Sequence, residues 1–261
     1  MGAFFRQLFA TILALFIVMF ACIFLIAALG SSKKTIVPEH ATLLMPMPVA
    51  LAEYPPTRGK PFGDRPLTLH DFRMNLKKAA VDKRIDRVVI SLGFGDAGWA
   101  SLEELRQEIA ATRKAGKKVY AYCEWLTFKN EYLAAACDSI FLPPDAYIAV
   151  TGINGEREFH KGLLDKIGVK MRVHKIEAYK AAGETDIRTD MSPAARENAQ
   201  WVMDETIKIV VPQLIADRKK DQAWWDGVLA KPVMRAPEAV ERGLADRVLY
   251  WNDLRLSLIH I

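Results

Sequence analysis

Gly93, Gly95 and Gly98 stand as G-x-G-x-x-G directly after a β-branched run. With this spacing a dinucleotide-binding turn lets a helix N-terminus face a pyrophosphate. The surroundings point instead to a tight strand-to-helix turn. Ser101 and Glu104 have capping-box spacing, which predicts a helix start beyond the third glycine. No acidic residue follows about 20 positions on at a strand end, Glu124 being later. The five histidines, at 40, 70, 160, 174 and 260, show no metal-ligand spacing, and neither C-x-x-C nor H-E-x-x-H occurs, so no zinc site is encoded. A Ser-His-Asp hydrolase of the common α/β type needs a G-x-S-x-G elbow, which is absent; Ser91, Ser101 and Ser139 read as strand, cap and turn residues. Cys22, Cys123 and Cys137 make an odd count in apolar surroundings and read as packed thiols, not a disulfide framework. Glu124 and Glu131 are the one obvious pair for acid-base work, such as acyl-CoA chemistry, and both also read as surface carboxylates. No cofactor is called for. What stands out is Lys180, in a connection between two core elements. Burial of a lysine disfavours its ammonium form and lowers its pKa toward neutrality.

The elements that must position these residues follow an alternating order. Residues 41–52 read as an extended apolar segment whose prolines, Pro46 and Pro48, suit an edge strand, and residues 55–66 as a loop. Thr68 opens a helix with Asp71 at the capping-box position, and Leu69, Phe72, Leu76, Ala79 and Ala80 recur at helical spacing to about Asp82. Residues 87–92 form a β-branched strand. A helix capped by Ser101 runs to Ala115 and is stopped by Gly116, and a strand follows over 118–123, which completes a βαβ unit. Residues 130–137 and 138–142 repeat helix then strand, 162–167 is helical, and 170–176 alternates as a strand. Ser192, with Pro193 at the first helical position, starts a long amphipathic helix to about Lys219 that uses Trp201, Ile207, Val210 and Leu214. A short helix over 237–244 leads into 247–250.

Residues 177–197 read Glu-Ala-Tyr-Lys-Ala-Ala-Gly-Glu and then, from Asp190, Asp-Met-Ser-Pro-Ala-Ala-Arg-Glu. The Tyr179-Lys180 pair followed by that run resembles the segment carrying the catalytic lysine in signal peptide peptidases of the SppA type, a family of serine-lysine proteases. The resemblance takes in an N-terminal anchor, the helix at Thr68, the unit over 87–123 and the segment over 162–169, all in the family's order. It implies a ClpP/crotonase-like α/β fold of repeated strand-helix units preceded by one transmembrane helix. In the long, two-repeat form of that family the N-terminal repeat supplies the lysine and the C-terminal repeat the serine, inside a bowl-shaped tetramer facing the periplasm. The resemblance therefore implies Lys180 as general base. It also implies peptide substrates, namely signal peptides left in the membrane, a C-terminal repeat as partner, and a homo-oligomer. Single-repeat members place a Gly-flanked serine at the start of the helix one unit earlier. Leu126, Thr127, Phe128, Lys129 and Asn130 stand there instead, with neither a serine nor a glycine that could free backbone N-H groups for an oxyanion hole. Glu177 and the pair Gly183-Glu184 also depart from the pattern. Ser192 reads as a helix N-cap and not as the nucleophile.

Residues 8–29 contain no charge and, at 1.5 Å each, are long enough for a bilayer core about 30 Å thick. The run exceeds the apolar core of a cleaved signal peptide and reads as an uncleaved anchor within an N-terminal segment 1–34, a short stub, the span and a hinge. Arg6 before the span and Lys33 and Lys34 after it leave the orientation undecided by charge; the bacterial inner membrane with a periplasmic domain follows from the resemblance alone. Residues 35–255 are then one domain, the N-terminal repeat. Residues 256–261 resemble read-through of a cloning adapter and are expected to be a truncation artefact. The net charge of +5 is spread among acids without an aromatic-interleaved basic stripe, which argues against nucleic acid as a partner. A membrane-anchored ClpP-like scaffold without activity is the main rival reading.

Overall fold

The computed structural model describes residues 2–29, 37–54, 67–95 and 97–259, which divide into two compact units, Met1–Pro38 and Glu39–Ile261. The first contains helix α1, Gly2–Leu29, whose one charged residue is Arg6. Its 28 residues give a rod of about 40 Å, and residues Gly2–Leu25 are long and apolar enough to cross a membrane. The expected loop over 55–66 lies outside the described residues.

The second unit begins with β1, Ala41–Pro46, then α2, Leu69–Val81, β2, Ile85–Leu92, α3, Trp99–Lys114, and β3, Lys118–Cys123. The capping box of α2 is present: Thr68 accepts from the Asp71 N-H while Asp71 accepts from that of Thr68. Gly116 follows α3 with φ of 90°, a left-handed position that suits glycine. Next come β4, Trp125–Thr127, α4, Phe128–Ala134, β5, Ser139–Leu142, β6, Tyr147–Ala149, α5, Lys161–Lys166, α6, Glu184–Ile187, and α7, Pro193–Asp217. The chain closes with α8, Gln222–Ala230, β7, Val233–Met234, α9, Ala236–Glu241, β8, Arg247–Val248, and α10, Trp251–Ile259.

Five strands form one sheet in the order β1-β2-β3-β5-β8, every pair parallel. Strand alternation splits its side chains between two layers. Val88, Ile90, Leu92, Val119, Ala121, Cys123, Ile140 and Leu142 join the main core with Phe72 and Leu76 of α2 and Leu102, Leu105 and Ile109 of α3. Val89, Tyr120, Tyr122 and Phe141 pack in a second cluster with Leu254, Trp251 and Leu258 of α10. Strands are added always on the same side, so right-handed crossovers bring α2 and α3 to one face and leave the other to α10. β1 is an edge strand, as its prolines predict. A second sheet, β4-β6-β7, carries Leu126 and Ile148 into the main core; its strands of two or three residues are too short for a periodic signature.

Several expectations are corrected. The N-cap of α3 is Gly98, without a side-chain cap bond, so Ser101 lies inside the helix and the third glycine of the G-x-G-x-x-G run borders it directly. Gly95 nevertheless has a packing reason: a Cβ there would stand 3.1 Å from the Pro48 carbonyl oxygen and 3.2 Å from that of Val49. Ser139 is the first residue of β5, not a turn. Glu131 is fully buried, not a surface carboxylate. Residues 170–176 form no strand and end in a bend; Met171 and Ile176 face solvent and only Val173 is partly covered, so alternation without a neighbouring edge does not make a sheet. In α7 the core positions are Val210, Val211 and Leu214, whereas Trp201 is 60% exposed.

Candidate active site

The turn bearing Lys180 belongs to the connection between α5 and α7 and is braced at three points. Glu184, at the start of α6, is 1% exposed, and its carboxylate accepts from Lys175 Nζ at 2.8 Å and from the Ser192 N-H at 3.3 Å. The Lys175 ammonium, and after it Ser192, hold the Glu184 carboxyl down at about 2. Ser192 in turn accepts from the Ala195 N-H at 3.2 Å, which makes it the N-cap of α7, as its place before Pro193 predicts. The Tyr179 hydroxyl donates to Glu197 Oε2 at 2.9 Å and ties the residue before Lys180 to the second turn of α7; that contact raises the phenol above its ordinary value. His160 binds the Thr185 carbonyl through its N-H at 2.7 Å and faces Asp186 Oδ1 at 3.2 Å through Nδ1.

Backbone conformation tightens the same loop. Gly183 has φ of 78° and lies so close to Val173 that a Cβ would meet Cγ2 at 2.8 Å. Glu177 holds φ of 66°, a left-handed conformation that costs a residue with a Cβ of order 1 kcal/mol. The two departures from the family pattern noted above, Glu177 and Gly183-Glu184, thus fall where this loop is bent and pinned. Glu184 was not foreseen as a bracing residue; its one sequence signal is its place eight residues before the Ser192 cap.

Lys180 itself is exposed and makes no hydrogen bond or ion pair among the described residues. Among the described residues nothing buries Lys180. Among the described residues no serine is bonded to it either. Ser91 and Ser139 are strand residues, Ser101 lies in α3, Ser192 is engaged as a cap, and the Ser257 hydroxyl donates to the Leu254 carbonyl at 2.7 Å.

At the start of α4, where the sequence lacks a nucleophile, the structure shows a closed corner. Thr127 caps the helix by accepting from the Asn130 N-H at 3.3 Å, and Asn130 Nδ2 donates to the carbonyls of Trp125 at 2.6 Å and Gly93 at 3.1 Å. Phe128 is 4% exposed, with ring centroids 5.4 Å from Trp99 and 5.1 Å from Trp225. Three residues on, both carboxylate oxygens of Glu131 lack a hydrogen-bond partner, and burial pushes this acid up to about 8. Cys123 and Cys137 are buried free thiols, both raised by desolvation, Cys137 to about 12, which makes them poor nucleophiles. Among the described residues no group of three His, Cys, Asp or Glu side chains could hold a metal ion.

In class this is an α/β domain built on a five-stranded parallel sheet with a smaller second sheet, and its distinctive lysine sits on a braced loop outside both. Comparison with known proteins makes the class specific: the chain belongs to peptidase family S49, whose family model matches residues 111–259, from the end of α3 through the Lys180 loop to α10. It is 33% identical over 138 residues to "Serine protease SPPA, chloroplastic" of Arabidopsis thaliana, covering 53% of this chain and 20% of that protein. It is 33% identical over 137 residues to "Protease 4" of Salmonella typhi, covering 52% and 22%, and 26% identical to a "Putative signal peptide peptidase SppA" of Enterococcus faecium, covering 72% and 54%. The matched segment thus spans about a fifth to a half of the length of these relatives. Among solved structures, a membrane-bound stomatin-specific protease is similar with a TM-score of 0.47 at 13% identity, covering 84% of each chain. A probable enoyl-CoA hydratase/isomerase from Mycobacterium abscessus has a TM-score of 0.41 at 17% identity, covering 74% of this chain and 62% of that one.

Proposed function

We propose that this chain is the lysine-bearing part of a membrane-bound signal peptide peptidase. In this reading Lys180 is the general base, the nucleophilic serine comes from a second repeat outside the domain, and the substrates are signal peptides left in the membrane. The observation that carries it is the bracing of the Lys180 turn by Tyr179–Glu197 and Lys175–Glu184–Ser192, which fixes one lysine at the tip of a loop that has no packing role for it. The closed corner at Phe128 supports the division of labour, because an aromatic plug occupies the helix start that would otherwise present a serine. α1 supports attachment to a membrane; an inner-membrane location with a periplasmic domain rests on the bacterial relatives. The exposed Trp201, Val202 and Ile209 of α7 support packing against another subunit.

The test uses the detergent-purified chain with a fluorogenic signal-peptide substrate, alone and after co-expression with a serine-bearing repeat. The chain alone is expected to be inert, since a base without a nucleophile forms no acyl-enzyme. Co-expression restores turnover, and Lys180→Ala lowers it by about 10² to 10⁴-fold. Cleavage by the chain alone that Lys180→Ala abolishes would sink the division of labour; full turnover of Lys180→Ala in the assembly would remove Lys180 from the mechanism. That last outcome selects the second reading, a non-enzymatic membrane-anchored scaffold, which the exposure of Lys180 in this chain favours.

A further inference from the structure

An open cleft of about 560 Å³ lies beyond the carboxyl ends of β3 and β5 and beside the first turn of α10, away from the Lys180 loop in sequence. Its walls are aromatic. Tyr122 and Trp251 stand 5.0 Å apart at 61°, and Trp125 and Tyr147 stand 4.6 Å apart at 42°, so two ring pairs border one space. Glu124 and Asp145 complete the lining, both exposed, and neither forms a salt bridge or side-chain hydrogen bond among the described residues. Among the described residues no lysine, arginine or histidine lines the cleft. Tyr122 is 2% exposed, and its hydroxyl is raised first by burial and then by the charges of Glu124 and Asp145, so both carboxylates project their field into the same space.

Ring faces carry negative quadrupole charge, and carboxylates without counter-ions beside them add to it. Such a space attracts a cation that arrives on an apolar stem, because the stem covers the rings while the charge meets the acids. We propose that this cleft is a binding site for a basic side chain, lysine or arginine, of a peptide. The proposal deepens the peptidase reading and rests on it for the word peptide: a signal peptide has a positively charged region next to its apolar core, and the cleft would hold that charge while the apolar core is presented elsewhere. Glu124 and Asp145 are then specificity residues that touch the basic side chain of the peptide.

The experiment is a binding titration without turnover, read by intrinsic tryptophan fluorescence of the full chain in neutral detergent. The probes are an acetylated apolar decapeptide with two lysines near its N-terminus and its analogue with norleucine in their place. The expected result is saturable binding of the lysine peptide, about tenfold weaker binding of the norleucine peptide, and loss of that difference in the Glu124→Gln/Asp145→Asn double variant. Both substitutions lie at exposed positions and leave the aromatic pairs in place. Equal binding of the two peptides, or a preference that survives the double variant, would overturn the proposal. Displacement of the lysine peptide by tetramethylammonium chloride at concentrations where sodium chloride is without effect would reassign the cleft to small amines and overturn the peptide assignment. Because no cleavage is measured, failure here leaves Lys180 untouched, and failure of Lys180→Ala to impair turnover leaves this result standing.

Discussion

Replacing Glu131 by glutamine is expected to stabilise the domain, increasingly so as the pH rises. Glu131 is fully buried on α4, neither of its carboxylate oxygens has a partner, and its neighbours do not neutralise it. The charged groups facing it are Arg218, which lowers its pKa, and Asp246, which raises it. Arg218 is committed elsewhere, donating to the Gly243 carbonyl at 2.8 Å and to Asp246 at 3.2 Å. The buried Cys123 thiol also feels the Glu131 charge. Burial therefore dominates and moves the acid from its ordinary 4.5 up to about 8. Below the ordinary value both the folded and the unfolded chain hold the proton, and nothing is lost. Between the two values the unfolded chain releases the proton while the folded chain keeps it, so stability falls by about 1.4 kcal/mol per pH unit. The loss levels off above the folded value, and its integral has an upper bound of about 5 kcal/mol, which internal relaxation reduces. In thermal unfolding of the full chain followed by near-ultraviolet circular dichroism, wild type and Glu131→Gln should nearly coincide at pH 4. The variant should then gain with each pH step to about 8, at about 2–4 °C per kcal/mol for a domain of this size. An advantage of the same size at every pH, or a variant less stable at pH 8, would refute a neutral buried acid. Glu131→Leu removes the polar atoms altogether and should show the same flat pH response.

Three further substitutions test other parts of the structure. Phe128→Ala opens the corner between Trp99 and Trp225 and should cost about 3–5 kcal/mol, read as a fall in unfolding midpoint; a cost below 1 kcal/mol would mean that the corner is loosely packed. Thr68→Ala removes the side chain that caps α2 and should cost about 1 kcal/mol by the same measurement. Glu184→Gln should loosen the Lys180 loop, detected as faster limited proteolysis between Lys175 and Ser192. Because the folded carboxyl is held at about 2, wild-type protection should be present at neutral pH and fade as the pH falls from 4.5 toward 2, while the variant is unprotected throughout. A variant as resistant as wild type at pH 7 would remove Glu184 from the bracing.

The main sheet was legible in the sequence because its strands and covering helices carry signals several residues long. Thr68 with Asp71 and Ser192 with Pro193 announce helix starts through chemistry that depends only on neighbours. Ser101 shows how such a signal fails: the serine and glutamate have the right spacing, yet Trp99 finds aromatic partners in Phe128 and Tyr132, and the helix is capped three residues earlier, at Gly98. Residues 170–176 show the opposite error, an alternating pattern without a strand edge to join. Glu131 could not be read as buried, because nothing in the local sequence says that α4 is covered on the side of Arg218. The lysine motif was legible only through resemblance, whereas its bracing by Glu184 and Glu197 needed the fold.

The exposure of Lys180 sharpens what the function requires. Burial is what disfavours the ammonium form of a lysine, so catalysis through Lys180 as a general base demands that another surface cover it. That cover must exclude water without bringing an acid against the amine, because a carboxylate partner would stabilise the ammonium form and undo the effect of burial. The bracing contacts engage three of the nearby acids, Glu184 by Lys175 and Ser192, Glu197 by Tyr179 and Asp186 by His160, whereas Glu177, three residues before Lys180, is exposed and makes no such contact among the described residues. A covering subunit that brings a serine and apolar surface would complete a base, whereas one that brings an aspartate or glutamate would leave Lys180 a salt-bridge residue. Nitrogen-15 chemical shifts of the Lys180 amine, measured in the isolated chain and in the assembly across pH, separate the two. A titration midpoint that moves down on assembly supports catalysis, and one that moves up supports the scaffold.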